Sequence, residues 1–277
     1  MSEANPGAGP IVELHGVVKR FGSAVAVNDV SFAVEAGRTV GIVGESGCGK
    51  STTARLIIGL ERPDEGSIEF RGEAYPRGGR RLRELRRRIG FVFQDPYESL
   101  DPRFTVRELV AEPLRGHGLW RDGGRQRVDE LLELVGLDGV PLDARAAELS
   151  GGQLQRIGIA RALALDPELV ICDEPTSALD VSVQAQILNL LLAIQAERQL
   201  AFLFISHDLD VVRRLADEVL VMYAGEVVER GPATRVVTEP SHPYTQALLS
   251  AVPALDPRER RLGKRLRYSG ETAGVSD

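Results

Sequence analysis

Short apolar runs alternate with longer stretches in which apolar residues recur every three or four positions. Runs of the first kind predict buried strands and stretches of the second kind predict amphipathic helices. The predicted strands are 39–43, 89–93, 169–172 and 200–205. The predicted helices are 53–58, 105–118, 125–136, 157–164 and 183–198. Since no strand-like run occurs between 95 and about 166, the pattern predicts an α/β domain with a helical insertion.

The two ends of the chain have patterns of their own. Two strands are predicted at 11–14 and 24–34, with a hairpin region at 17–22 between them, and a second hairpin at 217–230. A proline-marked helix is expected within 241–249. The first ten residues and the basic segment 258–267 are expected to be disordered.

The segment 44–52, GESGCGKST, lies between a predicted strand and a predicted helix. That context is the one a phosphate-binding loop requires, because glycines let successive backbone N–H groups face a phosphate at the helix N-terminus. Lys50 would reach the outer phosphates and Ser51 would ligate Mg²⁺. The alternative, a glycine-rich turn before a core helix, does not account for the lysine and the hydroxyl. The segment therefore predicts nucleoside triphosphate binding.

Five other polar residues lie at the end of a predicted strand or the start of a predicted helix. Gln94, Asp173-Glu174 and His207 each follow a predicted strand, where ligands of α/β proteins bind. Ser150 precedes two glycines and a predicted helix, so it is a candidate N-cap and this helix start is a second phosphate-seeking terminus. Phe21 has two interpretations, a nucleobase-stacking aromatic or a core residue.

Composition narrows the class of protein. The 277 residues have a formal net charge of -6, which argues against a general nucleic-acid binder. Cys48 and Cys172 have no zinc or disulfide spacing, so a reducing compartment is expected. Cys48, near Lys50 and a helix N-terminus, is expected to favour its thiolate. Because no apolar run is long enough to cross a bilayer, any membrane role should come through a partner.

Residues 149–153 read LSGGQ, and together with 44–52 and 169–180 they make the chain resemble the ATP-binding subunit of an ABC transporter. Gln94 matches the Q-loop, 177–180 the D-loop and His207 the switch histidine. The resemblance implies a phosphate-loop (RecA-like) core sheet with an antiparallel β subdomain and a helical insertion subdomain at about 95–165. The implied domains are an ABC ATPase domain at 11–235, after a disordered 1–10, and a C-terminal extension at 236–277 with a flexible basic tail.

The same resemblance implies ATP and Mg²⁺ as ligands, with two ATPs held between a head-to-tail pair of ATPase subunits. The implied catalytic residues are Lys50, Gln94, Glu174 and His207, and the implied metal ligands are Ser51, Gln94 and Asp173. The implied nucleotide contacts are Phe21, Gly44, Glu45, Ser46, Gly47, Cys48, Gly49, Lys50, Ser51 and Thr52, and in trans Ser150, Gly151, Gly152, Gln153 and Asp180.

Two stretches are similar to the oligopeptide/dipeptide importer ATPases, a group that also includes nickel and glutathione importers. These are 93–103 (FQDPYESLDPR) and 242–245 (HPYT). The resemblance implies ATP-driven import of peptides, a non-identical second ATPase subunit, two permeases docking near Tyr97–Phe104, and an extracytoplasmic binding protein acting indirectly. It implies a peripheral place on the cytoplasmic face of the membrane. Since no cysteine follows Cys172, no iron–sulfur cluster is expected, nor zinc.

Three rival interpretations remain. The solute could be nickel or another small molecule rather than a peptide. An ABC-type ATPase acting on nucleic acid or ribosomes is favoured only by the basic runs 77–88 and 258–267, which also fit a solvated helix face and a tail. A non-hydrolysing subunit is disfavoured by the intact Glu174 and His207.

Overall fold

The computed structural model describes residues 9–251, 266–268 and 273–275, which contain twelve strands, ten α-helices and a 3₁₀ turn at Ala146–Glu148. The strands are β1 (Val12–Phe21), β2 (Ala24–Val34), β3 (Thr39–Val43), β4 (Glu65–Phe70), β5 (Glu73–Ala74), β6 (Ile89–Val92), β7 (Leu169–Asp173), β8 (Ala201–Ser206), β9 (Glu218–Tyr223), β10 (Glu226–Pro232), β11 (Leu266–Tyr268) and β12 (Ala273–Val275). The helices are α1 (Lys50–Ile57), α2 (Gly79–Arg87), α3 (Pro96–Ser99), α4 (Val106–Gly116), α5 (Gly124–Leu134), α6 (Gly151–Ala162), α7 (Val181–Arg198), α8 (Leu209–Leu215), α9 (Ala233–Thr238) and α10 (Pro243–Ala251).

These elements divide into two compact units. The loop unit contains Glu13–Ala33, Thr39–Ile68 and the described residues from Phe204 onward. The helix unit contains Val34–Arg38, Glu69–Leu203 and the described residues up to Val12. Strands and helices mix in both units, so the expected α/β class is confirmed.

In the loop unit, β3 pairs in parallel with β9, and β9 pairs antiparallel with β10. Every residue of β3 is buried, because the strand is covered on both faces as parallel strands usually are. A second, separate layer of this unit is formed by β1 and β2, which are joined by a two-residue turn. The hairpin predicted at 217–230 is confirmed as β9 and β10.

In the helix unit, β6 pairs in parallel with β7 over four residues, and helices α3 to α6 lie between these strands in sequence. Helix α4 begins with a capping box in which Thr105 and Glu108 satisfy each other's backbone N–H groups. The predicted apolar faces of α4 and α5 are confirmed, since all their members are buried. These are Val106, Leu109, Val110, Leu114, Val128, Leu131, Leu132 and Val135.

Two sequence expectations were wrong in detail. The segment 17–22 is not a hairpin region, because β1 runs unbroken through it to Phe21. Gly16, with φ 55°, shifts the alternation by one residue, so that Val17 and Val18 are both buried and the strand continues. Strand β6 ends at Val92, and Gln94 therefore lies in the loop beyond it. Most of the two segments that were expected to be disordered, namely residues 1–8 and 258–265, lies outside the described residues.

Candidate nucleotide-binding site

The segment 44–52 connects β3 directly to α1 in the loop unit. Two of its glycines are required by close backbone approaches. A Cβ at Gly44 would lie 2.3 Å from the carbonyl oxygen of Met222, and one at Gly49 would lie 2.3 Å from that of Ala26. Any other residue at either position would displace a neighbouring strand, so the curled loop depends on these glycines.

Lys50 is the first residue of α1 and is only 5% exposed. Its Nζ donates hydrogen bonds to the carbonyl oxygens of Gly44 (2.8 Å) and Glu45 (2.9 Å). These two bonds hold the ammonium group inside the curl of the loop, at the positive end of the helix dipole. The N-cap, Gly49, makes no side-chain capping bond, so no side chain of the cap covers the first-turn N–H groups. This combination is suited to a phosphate.

The expectation that Cys48 favours its thiolate was wrong. The side chain is 6% exposed, and burial raises the pKa of the Cys48 thiol more than the nearby Lys50 lowers it. The carbonyl oxygen of Cys48 accepts a hydrogen bond of 3.0 Å from the N–H of Gly225, in the turn of the β9–β10 hairpin. Cys48 is therefore a packed, protonated residue of the loop.

Phe21 and His207 are the other two candidate residues of the loop unit. Phe21 ends β1 with 47% of its surface exposed and with the Lys19 ammonium 5.2 Å from its ring centre, so the core interpretation was wrong. His207 is exposed and directly follows β8. Its neighbours fix the turn, because Ser206 Oγ accepts from the N–H of Asp208 at 2.9 Å and Asp208 caps α8.

The helix unit contains Gln94, Asp173 and Glu174. Asp173 ends β7 and Glu174 follows with φ 47°, a left-handed conformation that is rare for a residue with a side chain. The carbonyl of Glu174 accepts from Ser177 N (3.2 Å) and Ser177 Oγ (3.1 Å), which stabilises this turn. Gln94 Nε2 lies 3.5 Å from Glu174 Oε2, so the structure brings these two predicted residues together. Such local strain is typical of functional positions.

The LSGGQ segment starts α6, with Ser150 as the N-cap as predicted. Ser150 Oγ accepts from the N–H of Gln153 (3.3 Å), and Gln153 Oε1 accepts from the N–H of Ser150 (3.0 Å). Gly152 packs against α7, because a Cβ there would lie 2.8 Å from Cγ1 of Val183. The segment is therefore a capped helix start with two half-buried glycines.

Asp180 is the N-cap of α7 and is exposed. Its Oδ1 accepts from the N–H groups of Ser182 (3.1 Å) and Val183 (3.0 Å). The hydrogen bond from Val183, followed by that from the Ser182 side chain, lowers the pKa of the Asp180 carboxyl. The carboxylate thus stays ionised at neutral pH and fixes the start of α7.

Sequence reasoning missed one contact of the phosphate loop. The hydroxyl of Tyr244, in the first turn of α10, accepts a hydrogen bond of 3.0 Å from the backbone N–H of Glu45. Burial raises the pKa of Tyr244 to about 12, so this hydroxyl is neutral at physiological pH. The only sequence signal was the HPYT string, which says nothing about what the tyrosine touches.

No helix within the described ranges is both long and apolar enough to cross a bilayer.

The chain is similar to known proteins over most of its length. Residues 27–177 match the ABC transporter family, and residues 228–273 match the family described as the oligopeptide/dipeptide transporter, C-terminal region. The oligopeptide transport ATP-binding protein OppF of Bacillus subtilis is 49% identical over 267 residues, covering 95% of this chain and 87% of the relative. The dipeptide transport ATP-binding protein DppF of Escherichia coli is 48% identical, covering 89% of this chain and 74% of the relative.

The fold has a solved counterpart. A dimeric post-hydrolysis state of an ATP-binding cassette bound to ADP and Pi is 32% identical and superposes with a TM-score of 0.71, covering 80% of this chain and 98% of the other. The nucleotide in that structure, ADP, belongs to the class of ligand that segment 44–52 predicts for this chain. The chain belongs to the ABC transporter family, as a nucleotide-binding ATPase that carries the oligopeptide/dipeptide transporter C-terminal region.

Proposed function

We propose that this chain hydrolyses ATP to drive the import of dipeptides or oligopeptides through a membrane-embedded partner. The observation that carries the proposal is the succession, in one chain, of an ABC transporter region and an oligopeptide/dipeptide transporter C-terminal region. Near-full-length similarity to a relative named for oligopeptide transport supports the peptide class. The chain acts at the cytoplasmic face of the membrane, held there by its partners.

ATP is bound with its phosphates in the segment 44–52. Lys50 exchanges carbonyl contacts for contacts with the outer phosphates, and the first-turn N–H groups of α1 face the same charge. Phe21, an exposed ring at the end of β1, stacks on the nucleobase.

The residues proposed as metal ligands fit Mg²⁺ in their chemistry. Ser51, Asp173 and Gln94 offer a hydroxyl, a carboxylate and an amide oxygen, which are the hard oxygen donors this cation prefers. Bound Mg²⁺ would neutralise charge that develops on the phosphates. Glu174 orients the attacking water from its fixed turn, and His207 contacts the γ-phosphate.

Two subunits are needed for one reaction. The loop unit and the helix unit each carry a helix N-terminus suited to a phosphate, at α1 and at α6, and a single ATP does not need both from the same molecule. We therefore assign residues 150–153 and Asp180 to the ATP of a partner ATPase subunit in a head-to-tail pair. That partner is a non-identical homologue. The dimeric state of the solved relative supports this pairing.

The permease contacts lie on the helix unit near Tyr97–Phe104. Both residues that bound this segment are unusually exposed for aromatic side chains, at 60% for Tyr97 and 42% for Phe104. Exposed aromatic side chains grouped on a short segment are typical of protein interfaces. A solute-binding protein outside the cell delivers the peptide and has no direct contact with this chain.

Uptake in the native host tests this function. Deletion of the gene should abolish the uptake of labelled dipeptides to pentapeptides, and wild-type chain should restore it. Glu174→Gln should bind ATP yet fail to restore uptake, because loss of a general base typically slows turnover about a hundredfold or more. Asp129→Asn, an exposed acid-to-amide change on α5, is the matched control and should restore uptake.

Labelled nickel is the second substrate in the same strains. Peptide uptake that survives the deletion while nickel uptake is lost would transfer the function to the nickel alternative. Full restoration by Glu174→Gln would remove Glu174 from its role.

A further inference from the structure

Among the described residues of the C-terminal region, Tyr244 forms a hydrogen bond with the phosphate loop. Tyr244 is 2% exposed, and its hydroxyl accepts the backbone N–H of Glu45 at 3.0 Å. The carbonyl oxygen of the same residue, Glu45, accepts from Lys50 Nζ at 2.9 Å. Both backbone polar groups of Glu45 are therefore held by protein, one from inside the loop and one from α10.

The ring of Tyr244 packs in a cluster of three tyrosine rings. It packs 4.5 Å, centre to centre, from the ring of Tyr223 at the end of β9, and 5.6 Å from that of Tyr268 on β11. Tyr223 and Tyr268 also contact each other edge to face at 5.0 Å. Aromatic groups in such tilted and edge contacts attract one another beyond the burial of their area. The hydroxyl is thus aimed at Glu45 by a rigid aromatic cluster.

The start of α10 is fixed independently of the aromatic cluster. Glu229, on β10, accepts hydrogen bonds from Ser241 N (2.7 Å), Ser241 Oγ (2.8 Å) and His242 N (3.0 Å). Since β10 pairs with β9 and β9 pairs with β3, the strand that leads into the loop, Tyr244 is held on the same framework as the loop itself. The contact therefore has little freedom to relax.

We propose that Tyr244 is a positioning residue for nucleotide binding, and that its hydroxyl keeps the Glu45 peptide turned so that the loop is shaped for phosphate before ATP arrives. This inference rests on the proposed binding of ATP by residues 44–52. Without the hydroxyl, the Glu45 N–H loses its acceptor and the first half of the loop is free to turn its peptides. Binding then includes the cost of ordering the loop, whereas the chemical step, which uses Glu174, is unaffected.

The test compares full-length Tyr244→Phe with wild type and with Tyr223→Phe. Tyr244→Phe keeps the ring and removes only the hydroxyl. Tyr223→Phe is the matched control, because it removes another hydroxyl of the same cluster, one that makes no hydrogen bond to the loop. For Tyr244→Phe the Kd of Mg-ATP should rise about threefold to tenfold, the factor expected for one lost hydrogen bond. The KM of the assembled transporter should rise by the same factor while kcat stays within about twofold.

Two further readouts separate positioning from stability. Hydrogen exchange of the Glu45 amide in the nucleotide-free chain should accelerate in Tyr244→Phe and not in Tyr223→Phe. A lower Tm with unchanged Kd would overturn the inference, as would equal effects of the two variants on Kd. If wild type itself fails to bind Mg-ATP, the proposed function fails; if wild type and Tyr244→Phe bind equally well, only the role of Tyr244 fails.

Discussion

The helix starts of α1 and α6 are both proposed phosphate contacts, yet they are built in opposite ways. At α1 the N-cap is a glycine without a capping side chain, and a buried lysine lies in the curl of the loop. At α6 a reciprocal Ser150–Gln153 pair closes the cap, and no cation is part of the segment. The first arrangement can bind an anion strongly by itself, whereas the second offers only backbone dipoles and a hydroxyl. The α6 segment is thus suited to complete a site whose main affinity comes from elsewhere.

Removal of the Lys50 ammonium group should have the largest effect on nucleotide affinity. Lys50→Met keeps the apolar stem and removes the ammonium, so the Kd of the full-length chain for Mg-ATP should rise about tenfold to a hundredfold, the range expected for lost charged hydrogen bonds. Arg55→Ala, an exposed change in the last turn of α1, is the control and should leave Kd unchanged. Calorimetric titration measures both. Unchanged affinity in Lys50→Met would show that α1 is not the primary anion site.

Loss of the α6 cap should affect turnover and spare binding. Ser150→Ala removes a cap worth about 1 kcal/mol of stability. It also removes the hydroxyl that we assign to the ATP of the partner subunit, and because one such hydrogen bond is worth about 1 kcal/mol, we expect turnover of the assembled transporter to fall about fivefold with the Kd of the separate chain unchanged. Thr105→Ala removes the corresponding capping box of α4 at a similar cost in stability, and it should keep wild-type turnover. If Thr105→Ala slows the reaction equally, the effect of Ser150 is structural and the contrast between the two helix starts is lost.

The smallest expected effect is on the alkylation of Cys48, which lies near the Lys50 ammonium group but is not expected to be reactive. Because burial raises the pKa of its thiol, alkylation should be slow near neutral pH and should still accelerate as the pH rises above the ordinary thiol value of about 8.5. Mass spectrometry of iodoacetamide-treated chain gives the rate at each pH, and Mg-ATP should protect. Rapid, pH-independent labelling near pH 7 would show that the Cys48 thiol is ionised, as the sequence alone predicts.

Local sequence was sufficient for the elements and motifs whose signal is contained in a short window. The strand–loop–helix of 39–58 and the Ser150 cap follow from spacing and residue type alone. Contacts between distant segments were not predictable in this way. The Tyr244–Glu45 hydrogen bond joins residues 199 positions apart. The burial of Cys48 likewise cannot be read from the residues next to it in the sequence.

Backbone conformation marks a second limit of sequence reasoning. The left-handed turn at Glu174 has no sequence signature, because glutamate rarely adopts it and only the surrounding hydrogen bonds impose it. The unbroken course of β1 through 17–22 was missed for a related reason, since the positive φ of Gly16 changes which face the following residues occupy without ending the strand.

The close fit of Gly152 against Val183 joins the start of the LSGGQ helix to the start of α7. A methyl group added at position 152 would lie 2.8 Å from Cγ1 of Val183, so the first turns of α6 and α7 pack at a distance that only glycine allows. Asp180 begins the second of these turns. A larger residue at position 152 should therefore disturb the start of α7, where Asp180 is the cap, as well as the start of α6.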